Sequence, residues 1–379
     1  MDAISFTIDE LGFRYPVIDD ARCVECGSCA KVCPSLKPIT AEKHDDCYLA
    51  WAKDDTIHYE SASGGVSTVL NKHFVNAGGF AIGCSWNADM NAVMTIIESE
   101  SELKRIQGSK YVMSYIPQST WKGVKEKLNN NKHGIFIGLP CQVAAMKKFT
   151  HNHPNILCCD LLCHGGCSPK CFNDHIHHIE LTRLGGGRLS DVKFRGGKYD
   201  CQFTAWRDGE LLYRDGQYTD AYFYSFMKHG LFRESCYQCQ YATSERVSDI
   251  TIADFWGIDP EFVKDKNTLN GTNLVIIHSN KGHRAWDKIS NLIVSYRRPI
   301  EEAIAGNDTL KEPTNCPSDR DEIVRLIRDI GFEKTIKKDK VYVKNRRESF
   351  RRKVLAHVTK MIPSSAKPLL KHIWRLIRR

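Results

Sequence analysis

IFIGLPCQVAAMKKFTHNHPNILCCDLL, residues 135–162, reads as strand, helix, strand. Ile135–Leu139 and Ile156–Leu162 are apolar runs of strand length. Between them Cys141–Phe149 follows Pro140, a residue favoured at the first position of a helix. The alternation continues outward. Phe80–Cys84, Ile250–Ala253 and Leu274–Ile277 read as further buried strands, and Trp121–Leu128, Lys170–Leu184 and Lys281–Val294 as helices. Such alternation predicts an α/β or mixed α+β body. No GxGxxG follows a strand and no GxxxxGK[ST] occurs, so the Rossmann fingerprint and the P-loop are both absent.

Upstream of this body lies Cys23-x2-Cys26-x2-Cys29-x3-Cys33-Pro34, the spacing of bacterial 4Fe–4S ferredoxins. Three thiolates on so tight a loop reach three irons of one cubane. Gly27 and Ser28 keep the loop small, and Pro34 turns the chain away. A zinc site would more often supply two cysteine pairs across a longer spacer. In two-cluster ferredoxins the fourth cysteine of each run serves the other cluster, and this chain has one run. Either Cys33 or the more distant Cys47 would then complete the set. Residues 9–18 resemble the connector between two such runs.

Sixteen cysteines in 379 residues is a high count. The first residues lack a basic stretch followed by an apolar one, and no apolar run approaches the roughly 20 residues of a membrane span. The expectation is a cytoplasmic protein with reduced thiols engaged in metal or redox chemistry. The net charge of +9 is unevenly distributed. Residues 341–379 hold twelve Lys/Arg against Glu348 alone, a net +11 that leaves −2 for the rest. A near-neutral body argues against a nucleic-acid partner. In the tail, Leu369, Leu370, Ile373, Trp374, Leu376 and Ile377 share one helical arc opposite Lys371, His372, Arg375, Arg378 and Arg379. Phe350, Val354, Leu355, Val358, Met361 and Ile362 form a similar stripe. Basic, Trp-bearing amphipathic helices lie on anionic membrane surfaces, so the tail is expected to make the protein peripheral at the inner face of the membrane.

Within the body, Cys141 sits in Gly138–Gln142 and Cys163 in Asp160–Gly165, while Cys236-x2-Cys239 forms a pair. A helix start at Pro140 would favour a thiolate at Cys141. The pair alone reads equally as a dithiol or as half of a zinc site completed by Cys141 and Cys163. Gly64, Gly65 and Gly108 would let backbone N–H groups approach a phosphate or ring, with Ser109 and Lys110 adding a hydroxyl and a charge.

SASGG (61–65), GSKYV (108–112), GLPCQVAA (138–145), DLLCHG (160–165) and the Cys236–Ile258 stretch, in this order, resemble the beta-subunit family of coenzyme F420 hydrogenases and dehydrogenases. The resemblance implies a flavoprotein oxidoreductase body that binds FAD beside a 4Fe–4S cluster. Cys141, Cys163, Cys236 and Cys239 would be the ligands of a second cluster. Ser63, Gly64, Gly65, Gly108, Ser109, Lys110, Gly138 and Asp254 would hold the flavin, and His164 is the candidate proton donor. Ala253 stands where relatives often have Gly.

His175 and His178 share a helix face, but no HExxH pattern surrounds them, and a solvated face is expected. Cys84, Cys158, Cys159, Cys167, Cys171 and Cys201 are read as buried apolar residues. The expected organisation is a ferredoxin-type segment (1–45), a flavin and iron–sulfur body (46–300), a connecting segment (301–340) and a basic helical tail (341–379). The expected function is electron passage between 4Fe–4S clusters and FAD, with a redox partner protein or soluble carrier and a small substrate. Envelope polysaccharide synthesis is one expected setting. The competing class is a non-catalytic electron-transfer subunit of a larger complex.

Overall fold

A computed structural model describes residues 3–36, 39, 46–268 and 270–361, with side chains to residue 355. The second apolar arc of the tail lies outside the described residues, as do the side chains of Val358, Met361 and Ile362.

Thirteen strands are described, in three sheets. β1 (Ile4–Ile8) and β2 (Arg14–Ile18) form an antiparallel hairpin. The large sheet contains β3 (Asp46–Ala52), β4 (Phe80–Trp86), β5 (Ala92–Ile97), β6 (Gly134–Gly138), β7 (Ile156–Leu161), β11 (Ile250–Asp254), β12 (Asn273–Ile277) and β13 (Ile293–Arg298). β8 (Asp191–Lys193), β9 (Gln202–Arg207) and β10 (Glu210–Gly216) make a small antiparallel sheet. The order across the large sheet is β13-β3-β12-β11-β7-β6-β4-β5. Its centre, β4-β6-β7-β11, is parallel, and antiparallel strands flank it on both sides.

The parallel centre explains the apolar runs read from the sequence. Such strands are covered on both faces, and every residue of β6 and of β12 is buried. One face packs against the helix Val66–Asn76, where Val66, Val69 and Leu70 meet Ile135, Leu157 and Ile252. The other packs against the helices Gln118–Asn129 and Pro140–Phe149 through Val124, Val143 and Met146. The helix expected through Val294 ends at Ile289, because Ile293 and Val294 pair with Ala52 and Trp51 in β13.

Between β7 and β11 the chain leaves the sheet for some 90 residues. This excursion carries the helix Pro169–Leu184, the small sheet and the helix Ala221–Met227 around an aromatic core that includes Phe172, Phe194, Phe203, Tyr222 and Phe232. The segment after residue 300 joins it. Phe332 and Ile336 are buried there, and so is Tyr342 in the helix Lys340–Met361. The base of the tail is therefore anchored in the body.

His175 departs from its expected setting. It is buried, with Nε2 2.8 Å from Asp220 and Nδ1 2.5 Å from Glu333. Burial opposes its charge, but the two carboxylates raise it to about 9.

Candidate iron–sulfur and cofactor site

The N-terminal thiols sit on a locally determined loop. Gly27, at φ 67°, precedes the short helix Ser28–Val32 in a left-handed conformation that a side chain resists. Cys26 and Cys29 are exposed, and Cys23 and Cys33 are half-buried. Cys26 Sγ stands 3.3 Å from Ser28 Oγ, and the Ser28 side chain and backbone hold this thiol below its usual range. Cys47 lies elsewhere. It is enclosed in β3 among Leu274, Ile276 and Leu310, and burial pushes its thiol up to about 12. Among the described residues Cys33 is thus the fourth thiol beside the loop. The stretch read as a connector is a hairpin whose turn, with Leu11 and Phe13 buried, plugs into the body. Ser168 Oγ donates to Leu11 O at 2.6 Å.

The four body cysteines come from three places and line one small cavity. Cys141 is at the start of the helix after β6, and Cys163 is just past the carboxyl end of β7. Cys236 and Cys239 bracket a turn that Arg246 ties down. Arg246 Nη1 donates to Tyr241 O at 2.7 Å, and Nη2 pairs with the buried Asp160 at 2.7 Å. Asp160 also accepts from Thr251 Oγ1 at 2.6 Å, which fixes the carboxylate in the sheet. The Gly166 backbone N–H donates to Cys236 Sγ at 3.4 Å.

Electrostatics separates the two sets. Burial, then Cys239 and Cys236, pushes the Cys141 thiol up to about 12, so the helix start does not make a bare thiolate there. Burial and the other three sulfurs push Cys163 well above its usual range. Four converging thiolates in a desolvated pocket repel one another, and cationic iron would remove that penalty. Among the described residues no three His, Cys, Asp or Glu side chains converge closely enough for a single metal ion. A zinc ion needs each sulfur about 2.3 Å from one centre. A thiol set spread around a cavity fits a four-iron cubane better.

The two cysteine sets adjoin. Gln240 Nε2 and Tyr241 OH both donate to Pro34 O, at 2.9 and 3.0 Å, and Lys148 Nζ donates to Cys33 O at 3.1 Å. Tyr241 lies within electrostatic reach of Cys141, Cys239 and Cys33 together.

A cleft opens beyond Cys163. A cavity of about 280 Å3 lies at the carboxyl ends of β6, β7 and β11, where open α/β sheets bind ligands. Ser63, Gly65, Gly108, Ser109, Lys110, Gly138, Asp254 and His164 all line it. Gly64 does not: a Cβ there would meet Ala50 O at 2.5 Å and Asn273 N at 2.8 Å, so strand packing requires this glycine. Asn71 Oδ1, also in the lining residues, is a buried acceptor with no partner. A second cavity of about 860 Å3 adjoins, sharing Tyr111, His164, Arg195, Asp254 and Trp256. Asp254 pairs with Arg195 at 3.0 Å, and Arg195 also reaches Asp200 at 2.7 Å and Tyr111 OH at 3.3 Å. His164 stacks on His229 at 6.0 Å, and burial lowers its pKa. Together the cavities reach the size of a cofactor and substrate site. Cys84 and Cys201 line this cleft, whereas Cys158, Cys159, Cys167 and Cys171 are buried as expected.

Residues 132–302 match the family model for the C-terminal part of the coenzyme F420 hydrogenase/dehydrogenase beta subunit. This segment belongs to that family. It includes all four body cysteines. Residues 16–35 match a 4Fe-4S binding domain, covering Cys23 to Cys33. No curated protein matches the chain. Among solved structures it is similar to a chain of the F420-reducing [NiFe] hydrogenase complex of Methanosarcina barkeri. Identity is 17% and the TM-score 0.45, over 81% of this chain and 93% of that one.

Sequence reasoning missed Asn71, Tyr111, Arg195, His229, Tyr241 and Arg246. They are single residues in segments without a motif, and only folding brings them to the cysteines and the cleft.

Proposed function

We propose that this protein is an iron–sulfur electron-transfer subunit with two adjacent 4Fe–4S sites. One site is held by Cys23, Cys26, Cys29 and Cys33, and the other by Cys141, Cys163, Cys236 and Cys239. The observation that carries the reading is the seam between them, where the residues following Cys239 hydrogen-bond to the residue following Cys33. Such clusters supply one-electron transfer at potentials set by hydrogen bonds, charge and exposure. The chain's own part is to fix the spacing of the two sites, to keep water from the inner one and to leave the outer one open. Ile4, Phe6, Ile8, Val17, Ile18 and Val24 are exposed around the outer site. That apolar surface supports docking of a redox partner protein or carrier.

The test is anaerobic purification with iron and acid-labile sulfide counts. About eight of each per chain is expected for two cubanes. Stoichiometric zinc without sulfide would instead make the protein a zinc scaffold.

A second reading, FAD in the cleft, is favoured by the glycine-lined cavity and the unpartnered Asn71 beside Cys163. A bound flavin would supply two-electron chemistry and make the protein an oxidoreductase. Arg195 and Asp254 would then orient a ligand, and His164 would face it. Retention of FAD by the native protein, and its loss on Gly65→Trp with both clusters intact, tests this. Nothing lining the cleft selects an envelope glycan, and that expectation is dropped. For the tail, exposed Phe350 and Val354 support a peripheral contact, in a molecule with no described helix long and apolar enough to cross a membrane. Because Tyr342 is buried, a truncation testing that contact starts after residue 355.

A further inference from the structure

On the side of the excursion away from the cysteines, a cavity of about 790 Å3 lies between the helices Pro169–Leu184, Phe332–Ile336 and Lys340–Met361 and the edge strand β10. It shares no lining residue with the cysteine cavity or the cleft. Its walls carry Arg183, Arg214, Lys337, Arg346, Arg347 and Lys353. Only two carboxylates, Asp215 and Glu333, line it with them.

Neither carboxylate is free to balance that charge. Asp215 is shared by Arg346 at 3.6 Å and Lys353 at 3.9 Å, and also accepts from Thr219 Oγ1 at 2.5 Å. Glu333 is engaged with His175. Arg183, Lys337 and Arg347 have no carboxylate within ion-pair distance among the described residues. His178, on the same wall, has its pKa lowered by burial and then, against Glu333, by Lys337, His175 and Arg183. The pocket thus holds a surplus of positive charge around a concave floor of Ile179, Leu212 and Tyr213. Several cations with forked donors converging on one concavity suit an oxyanion with several acceptor oxygens.

We propose that this pocket binds a phosphate-bearing ligand, with Arg183, Lys337 and Arg347 as the contacts that remain open to it. Two sources share that chemistry, a soluble phosphate ester and the headgroup of an anionic lipid. The site is independent of the redox reading, because no cysteine takes part.

The three cations are exposed, so removing them spares the core. The test compares the full chain with the triple variant Arg183→Ala/Lys337→Ala/Arg347→Ala. A control triple variant, Lys122→Ala/Lys125→Ala/Lys288→Ala, removes the same charge from other positions on the surface. Inorganic pyrophosphate is titrated by calorimetry, and vesicles containing phosphatidylglycerol are tested by sedimentation, both at low salt. Saturable binding of at least one probe is expected, weakened about tenfold or more in the pocket variant and little changed in the control. Pyrophosphate binding identifies the soluble source, and vesicle binding lost in the pocket variant identifies the headgroup. If the wild-type chain binds neither probe, or both variants lose binding equally, the proposal is overturned.

Discussion

The two cysteine sets place the same donor atoms in opposite environments. Cys23 to Cys33 span eleven residues and lie on an open loop, where Ser28 holds Cys26 below the usual thiol range. Cys141 to Cys239 span 99 residues and meet only because a sheet, a helix start and an excursion converge. Burial lifts Cys141 to about 12. The outer set is shaped by local backbone and faces solvent and exposed apolar residues. The inner set is shaped by tertiary contacts, through the buried Arg246–Asp160 pair. An outer site is suited to exchange with a partner, and an inner one to holding a constant environment.

The sharpest way to break this contrast is alkylation of the iron-free protein. Thiolates react and thiols do not. Cys26, lowered, should react at pH 8, whereas Cys141, at about 12, should lag by about a thousandfold or more. As pH rises the Cys26 rate should climb first, and that of Cys141 should climb only near pH 12. Equal rates by mass spectrometry would mean that the inner pocket is open to water.

Next in size is the anchor. Replacing Arg246 by Ala leaves Asp160 charged and buried, and should cost about 3–5 kcal/mol in urea unfolding. Lys148→Ala, which removes only contacts to the carbonyls of Lys31 and Cys33, should cost about 1 kcal/mol or less. Comparable losses would erase the distinction between a locally built and a tertiary site.

Cysteine substitution sharpens the comparison further. Cys26→Ser and Cys163→Ser should each remove about half of the iron. Only Cys163→Ser should also lower the melting temperature of the body. Loss of all iron from Cys26→Ser would show that the outer site is needed to fill the inner one.

The smallest effect belongs to the seam. Tyr241→Phe removes one hydrogen bond to Pro34 O, worth about 1 kcal/mol. Both clusters should remain, and electron exchange between them, followed by freeze-quench EPR, should slow. An unchanged rate would remove Tyr241 from the coupling.

The sequence by itself determined what is local. The Cys23–Cys33 spacing, Gly27 and Pro34 are close enough along the chain to specify one loop. The apolar runs at 135–139 and 156–162 specified β6 and β7 because strands covered on both faces need continuous apolar residues. β3, β5 and β13 escaped that reading, since flanking strands mix polar and apolar positions and depend on their neighbours for burial. Folding alone decided that Cys47 is enclosed in β3, that Gly64 serves strand packing and that His175 is buried between two carboxylates. It also decided that Arg246 reaches Asp160 across 86 residues. Spacing along the chain carries information about atoms a few bonds apart. Burial, charge pairing and the meeting of remote thiols depend on which surfaces the whole chain packs together, and no short stretch contains them.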